Sequence, residues 1–202
     1  NIENNQNLKF PKIIAVSKTF KLEKILPLID HGHIDYGENK VQEAIEKWTS
    51  IKEKKPNIKL HLIGRLQTNK VKFAIKIFDY IHSLDSIKLA KKIADEEKKQ
   101  NKKIQLFIQV NIGKEDQKSG VELKNLSELY NYCKDLNLNV IGLMCIPPFE
   151  EDSEKYFKEM KILNKKFNLS NLSMGMSSDY LKAIENSATH VRIGSSIFGS
   201  RN

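Results

Sequence analysis

The chain predicts a TIM (β/α)8 barrel, an α/β fold in which eight parallel strands are each followed by a helix or turn. Three observations point there. Short β-type runs alternate with helical runs along the whole sequence. Eight such β-type runs can be counted. Residues of distinctive chemistry gather just after those runs, at the strand ends where barrel active sites are built. At 202 residues the barrel is at the small end of the usual range. An open doubly wound sheet is the alternative, but it would usually carry a glycine-rich loop after its first strand. Here the first strand runs into Ser17-Lys18-Thr19.

The elements come in this order. Residues 12–17, apolar and rich in β-branched side chains, form the first strand. A helix over 22–30 should start late or kink, because Pro27 lacks an N–H and restricts the backbone. Residues 34–36 form the second strand. Val41, Ala44, Ile45, Trp48 and Ile51 then repeat at helical spacing, with Trp48 on the apolar face and so in the core. Strands at 59–63, 80–83 and 103–111 come next, with a helical stretch at 88–99. A helix over 123–135 leads to a sixth strand at 139–145. Tyr156, Met160, Leu163 and Phe167 mark the next helix, before strands at 171–174 and 190–193. With no repeat, linker or shift of composition, residues 1–202 read as a single domain.

Composition excludes several classes. Hydrophobic residues make up 40% and charged residues 29%, as in a soluble globular protein. No apolar run is long enough to span a bilayer, so no membrane partner is expected. The polar start has no signal-peptide character; it lacks an initiator methionine, which suggests trimming or an incomplete N-terminus. Cys133 and Cys145 read as free thiols in a reducing, cytoplasmic setting. The net charge of +9 raises nucleic acid as a partner. Only Arg65, Arg192 and Arg201 are arginines, however, and the lysines are interspersed with glutamates over many helical stretches. That pattern is of solvated helix faces, so no nucleic-acid partner is expected. His31 and His33 lack further ligands nearby and read as a surface turn rather than a metal site. His61 could line the barrel, while His82 and His190 read as packing or strand-end residues.

The chemistry is concentrated at the strand ends. Lys18 comes just after the first strand; desolvation there would disfavour its ammonium, and a neutral amine attacks aldehydes and ketones. Gly37-Glu38-Asn39 lies after the second strand and Gly64 after the third, with Asn111 and Pro147-Pro148 after the fifth and sixth. Met174-Gly175-Met176-Ser177-Ser178 and Arg192-Ile193-Gly194-Ser195-Ser196 lie at the ends of the last two, where this fold often holds phosphate. Glycine permits close backbone approach, serine supplies hydroxyl and N–H donors, and successive N–H groups can cup an anion. A lysine amine and a phosphate cup on one barrel mouth fit two chemistries. One is a Schiff-base aldolase acting on a sugar phosphate. The other is a protein of pyridoxal 5′-phosphate (PLP), which carries both an aldehyde and a phosphate. Arg192, just before the last loop, could face a pyridine nitrogen.

At these residues the chain resembles the YggS/PROSC family of PLP homeostasis. The matching segments are Ala15-Val16-Ser17-Lys18-Thr19, Tyr36-Gly37-Glu38-Asn39, Val41-Gln42-Glu43, residues 61–70, Lys118-Ser119-Gly120, Gly142-Leu143-Met144, residues 173–177 and residues 191–199. The resemblance implies a fold-type III barrel similar to the alanine racemase N-terminal domain, with PLP in Schiff-base linkage to Lys18. It implies phosphate contacts from Ser177, Gly194 and Ser195, with Met176 in the same loop and Asn39 as a further cofactor contact. Arg192 would face the pyridine nitrogen. It further implies a cytoplasmic, monomeric carrier or buffer of PLP with no firm catalytic cycle, possible delivery to apo forms of PLP-dependent enzymes, and no metal. A fold-type III racemase and a Schiff-base aldolase are the alternatives. Racemases draw a tyrosine base from a second β-domain, and none is expected here because the chain ends at Asn202, just after the last barrel unit. The family's usual N-terminal helix is expected to be incomplete within residues 1–10. Lys40 departs from the aromatic residue or arginine that often comes after Gly-Glu-Asn in relatives, and is expected to face solvent.

Overall fold

The computed structural model describes residues 10–115 and 119–199. Lys118 of the Lys-Ser-Gly motif, Arg201, and residues 1–9, on which the expectation of a truncated helix falls, lie outside the described residues. The strands are β1 (Lys12–Val16), β2 (Asp35–Glu38), β3 (Lys59–Leu62), β4 (Tyr80–Leu84), β5 (Gln105–Gln109), β6 (Val140–Met144), β7 (Asn171–Met176) and β8 (His190–Ile193). They pair in parallel and in chain order into a closed barrel. β8 closes on β1, with Lys12 opposite His190 and Ile14 opposite Arg192. All eight predicted strands are present, and the TIM barrel is the fold. Around it run α1 (Leu22–Asp30), α2 (Val41–Lys54), α3 (Val71–Ile77), α4 (Ile87–Gln100), α5 (Leu126–Asp135), α6 (Ser153–Lys166), α7 (Tyr180–Glu185) and α8 (Ser195–Phe198).

Side chains alternate between the two faces of a strand, so a closed barrel has an outer and an inner set. The outer set includes Tyr36, Leu60, Leu62, Ile81, Leu106, Ile108, Leu143 and Val191, which share one core with the helices. Trp48 belongs to that core and is fully buried, as its place on the apolar face predicts. The inner set is unusual. Barrel interiors are mostly filled by branched aliphatic residues, whereas this lumen holds His61, Tyr80, His82, Phe107, Ser173, His190 and Arg192, all buried. Its rings pack closely. His61 stacks on Tyr80 with centroids 4.1 Å apart, and His82 on Phe107 at 4.3 Å. His61 thus lines the barrel as expected, while His82 does more than pack, since it also takes part in a hydrogen-bonded chain through the lumen.

One expectation needs correction. Of the two outcomes expected of Pro27, the late start does not occur: α1 begins at Leu22 and contains Pro27. Only one intrahelical hydrogen bond needs the missing N–H, and the Pro27 carbonyl still accepts from the His31 N–H at 3.0 Å. The His31–His33 turn is otherwise as predicted: His31 is exposed, and His33 Nε2 lies 2.9 Å from the Asp35 carbonyl. Among the described residues no His/Cys/Asp/Glu group could hold a metal ion, and no helix is long and apolar enough to cross a membrane. Cys133 and Cys145 are free and buried, and burial pushes both thiols up to about 12.

Candidate functional site

The inner parity of each strand continues past its C-terminal end into one cavity. Ile14 and Val16 lie on the lumen face of β1, so Lys18, two residues further, also points to the barrel mouth. The same step from Gly37 brings Asn39 to the mouth. A cavity of about 710 Å³ opens there, and Lys18, Asn39, Met176, Ser177, Arg192, Gly194 and Ser195 all line it. Seven residues chosen from separate stretches of sequence are thus brought together. Lys40, by contrast, is exposed, as expected.

The loop that carries Lys18 is held from behind by a buried ionic cluster. Glu38 is fully buried, and its Oε1 accepts from Ser17 Oγ at 2.8 Å, Lys47 Nζ at 2.9 Å and Trp48 Nε1 at 2.9 Å. Lys47 Nζ also donates to the Ser17 carbonyl at 2.9 Å, gripping the backbone next to Lys18. Thr19 comes next with a φ of 67°, a left-handed conformation that is rare for a β-branched residue. Such strain costs on the order of 1–3 kcal/mol. It is held by Glu43, whose Oε1 accepts from the Thr19 N–H at 2.6 Å. Burial raises the Glu43 pKa, but that hydrogen bond and Lys47 outweigh it, and the net shift is downward. The strained residue turns the chain away directly after Lys18. Phe20 then packs on Phe198 with centroids 5.2 Å apart, which ties the lysine loop to α8.

The opposite wall is made by the ends of β7 and β8. Ser173 pairs with His190 and Met176 with Arg192, so β7 spends one more residue than β8 over that stretch. The bulge contains Gly175 at φ +91°, where a Cβ would also sit 2.6 Å from the Ala183 side chain. Bulges bend a strand and re-aim the residues beyond it, which here include Ser177. Ser177 Oγ accepts from the Gly194 N–H at 3.3 Å, joining the two loops. Met176 contributes less than its loop suggested, because its N–H is committed to Asp179 Oδ1 at 2.7 Å. Between β2 and β3, Gly64 lets the loops touch: a Cβ there would lie 2.3 Å from the Asn39 carbonyl oxygen.

Arg192 forms the floor. It is buried, and its guanidinium donates to Ser173 Oγ at 2.8 Å and to the Cys145 carbonyl at 2.9 Å. Both acceptors are neutral, and no carboxylate among the described residues pairs with it. Burial lowers its pKa, yet an arginine starts so high that it stays charged. Ser173 in turn contacts His82, and His82 contacts His61. Burial pulls His82 well below the ordinary histidine value, with the nearby His61, His190 and Arg192 charges adding to it. Burial lowers His61 as well, against the pull of Asp35.

An amine, a two-serine cup and a buried cation therefore face one space. That set suits a small anion that carries both a carbonyl and an electron-rich ring edge. Reading the sequence alone missed Lys47, Ser173 and the lumen role of His82. Lys47 sits among many lysines and carries no signal of its own. The polar lumen did leave one: His61, His82 and His190 each stand next to an apolar residue within a strand, Leu60, Ile81 and Val191.

The model of the family described as alanine racemase, N-terminal domain, matches residues 1–202. A pyridoxal phosphate homeostasis protein of Aquifex aeolicus is 43% identical over 94% of this chain and 87% of its own length. The protein of the same name from Escherichia coli is 35% identical over 94% and 85%. Among solved structures, PipY of Synechococcus elongatus with PLP bound superposes with a TM-score of 0.87 at 32% identity, covering 94% of this chain and 92% of that one. An alanine racemase of Clostridium difficile gives a TM-score of 0.72 at 16% identity, over 96% of this chain and 53% of that one, a likeness of fold alone.

Proposed function

From the premise that this chain belongs to the family of pyridoxal phosphate homeostasis proteins, built on the alanine racemase N-terminal barrel, we propose that it binds PLP through Lys18 and keeps the free cofactor low. The observation that carries the reading is the convergence of Lys18, Ser177, Ser195 and Arg192 on one cavity. When bound, the cofactor supplies a reactive aldehyde and an electron-accepting ring. The rest is done by this chain. Lys18 supplies the amine that binds the aldehyde covalently. Ser177 and Ser195 supply hydroxyl donors for the phosphate, and the Gly194 N–H, which rests on Ser177 Oγ at 3.3 Å, joins them when the ligand displaces that bond. Asn39 and Met176 complete the wall. Arg192 presents an N–H to the ring nitrogen and, being charged itself, disfavours a proton there. The protein acts in the cytoplasm as a monomer, and apo forms of PLP-dependent enzymes are the natural recipients of the cargo.

The test is direct. Purified protein with PLP should be yellow, and borohydride should fix a pyridoxyl group on Lys18, located by peptide mass spectrometry. Lys18→Ala should retain weaker binding through the phosphate and lose the colour. A label on a different lysine would overturn the assignment.

We also propose that amino acids are not turned over efficiently. Racemisation needs an acid/base group on each face of the substrate carbon. Apart from its arginines, the described lining of the cavity contains one side chain that can trade a proton, Lys18; the rest are amides, hydroxyls and apolar groups. With L-alanine in deuterated water, slow α-proton exchange with retained configuration is the expected outcome. Rapid D-alanine formation would favour the racemase alternative.

A further inference from the structure

Five polar residues of the lumen form one hydrogen-bonded chain whose direction is fixed by the carboxylate at its end. Arginine has N–H donors and no acceptor. Arg192 Nη1 donates to Ser173 Oγ at 2.8 Å. The hydroxyl has one proton, and its other partner is His82 Nδ1 at 2.8 Å. The hydroxyl could also accept from both sides, so the direction is set from the other end: Asp35 as a carboxylate only accepts, and through two neutral imidazoles this leaves Ser173 donating and Nδ1 accepting. A neutral His82 then carries its proton on Nε2, which donates to His61 Nδ1 at 3.0 Å. The same reasoning leaves His61 with its proton on Nε2, donating to Asp35 Oδ1 at 2.9 Å. All five residues are buried. The chain runs from the first residue of β2, at the N-terminal end of the barrel, to the cavity at the opposite end.

Neither end can be inverted. A guanidinium cannot accept, and a carboxylate cannot donate. A proton relay would need Arg192 to release a proton, which an arginine does not do. The chain is therefore static. Its carboxylate offsets the buried guanidinium from a distance of four hydrogen bonds. A carboxylate placed beside the cavity would instead make a ring nitrogen more basic.

Resting on the reading of Arg192 as the partner of the PLP ring nitrogen, we propose that Ser173, His82, His61 and Asp35 are positioning residues. Together they lock the Arg192 guanidinium, with one N–H on Ser173 and one on the Cys145 carbonyl, so that it faces the cavity as a permanent donor. The ring nitrogen is thereby kept without a proton. None of the four touches the reacting atoms.

The apo protein tests the chain by itself. In 15N-histidine NMR, His61 and His82 should both be neutral with the proton on Nε2. A proton on His82 Nδ1, or a cationic His82, overturns the proposal. The holoprotein tests the consequence. With 15N-labelled PLP, the wild type should show an unprotonated ring nitrogen. Ser173→Ala should move that resonance toward the protonated position and weaken PLP by roughly tenfold, as expected when a hydrogen bond to a charged group is lost. An unchanged resonance in a folded Ser173→Ala protein overturns the proposal. Should that variant fail to fold, Asp35 at the far end decides. Asp35→Asn keeps an acceptor oxygen and should keep both tautomers, whereas Asp35→Leu should leave His61 a mixture; a single unchanged tautomer in Asp35→Leu counts against the chain. Failure of the wild type to take up PLP on Lys18 overturns the functional reading and with it the ring-nitrogen role. A wrong tautomer in a protein that does take it up overturns the chain alone.

Discussion

Ser177 and Ser195 illustrate how much of a site one residue type can carry. Ser177 is half-buried at the end of the β7 bulge, and Ser195 is exposed where α8 begins. Both line the cavity, and in the proposed reading their hydroxyls meet the phosphate and no other part of the ligand. Ser177→Ala together with Ser195→Ala should weaken PLP while leaving pyridoxal nearly unaffected. Each lost bond to a charged oxygen should cost about 1.5–3 kcal/mol, and less where water substitutes. Titration of both ligands by absorbance checks this, and equal losses would mean that the phosphate sits elsewhere. At this scale the sequence was most legible where chemistry and backbone requirement coincide. Lys18, Gly194 and the two serines each have an ordinary explanation alone, as a strand-end lysine or a Ser/Gly turn; they become legible because the fold puts all of them at the ends of strands on one barrel mouth. Lys47 did not, because a lysine in an amphipathic helix has an ordinary explanation in solvent. Only the structure reveals that its ammonium is turned inward onto Glu38 and the Ser17 carbonyl.

The elements were legible from periodicity, and their departures have physical reasons. Short β-type runs between helical stretches located every strand, because the outer face must be apolar to meet the helices. The run at 103–111 is longer than β5, which ends at Gln109; Val110 instead forms an isolated bridge with Val121. The helix expected over 123–135 opens with a 3-10 turn at Leu123–Asn125 before α5 begins. Pro27 was expected to delay or kink α1; there is no delay, because the tertiary packing of Ile25 and Ile29 in the core outweighs one missing hydrogen bond. The β7 bulge could not be read, since Gly175 looked like part of a phosphate loop rather than the reason that loop is aimed. Glycine there serves both purposes: it takes a φ of +91° and leaves room for Ala183.

The whole molecule carries a consequence of filling its lumen with histidines. His61, His82 and His190 are all lowered by burial, His190 to about 3, where repulsion from His61, were both rings protonated, and the charges of Lys12 and Arg192 add to it. In the unfolded chain each titrates near 6.5. Below that value the unfolded state takes up protons that the folded state refuses, so stability is fully present above pH ~6.5 and falls as the pH falls. The slope is up to about 1.4 kcal/mol per pH unit for each histidine that stays neutral. His61 contributes least, because its bond to Asp35 works against the effect of burial. Asp35 itself is lowered overall despite its burial, and so adds to the loss only at more acid pH, below about 3.9. Urea midpoints should therefore decline steadily from about pH 6.5 to about pH 4.5, above the range in which carboxylates dominate acid unfolding. His190 offers a clean control. Its Nε2 has no hydrogen-bond partner among the described residues, its Nδ1 lies 2.9 Å from Thr189 Oγ1, and its ring packs edge-on against Phe107. His190→Phe keeps the ring and removes the titration. It should flatten the decline by about 1.4 kcal/mol per pH unit even if it lowers stability at neutral pH. A slope unchanged by that substitution would place the acid sensitivity elsewhere and make the neutral lumen a matter of packing and cofactor geometry rather than of stability.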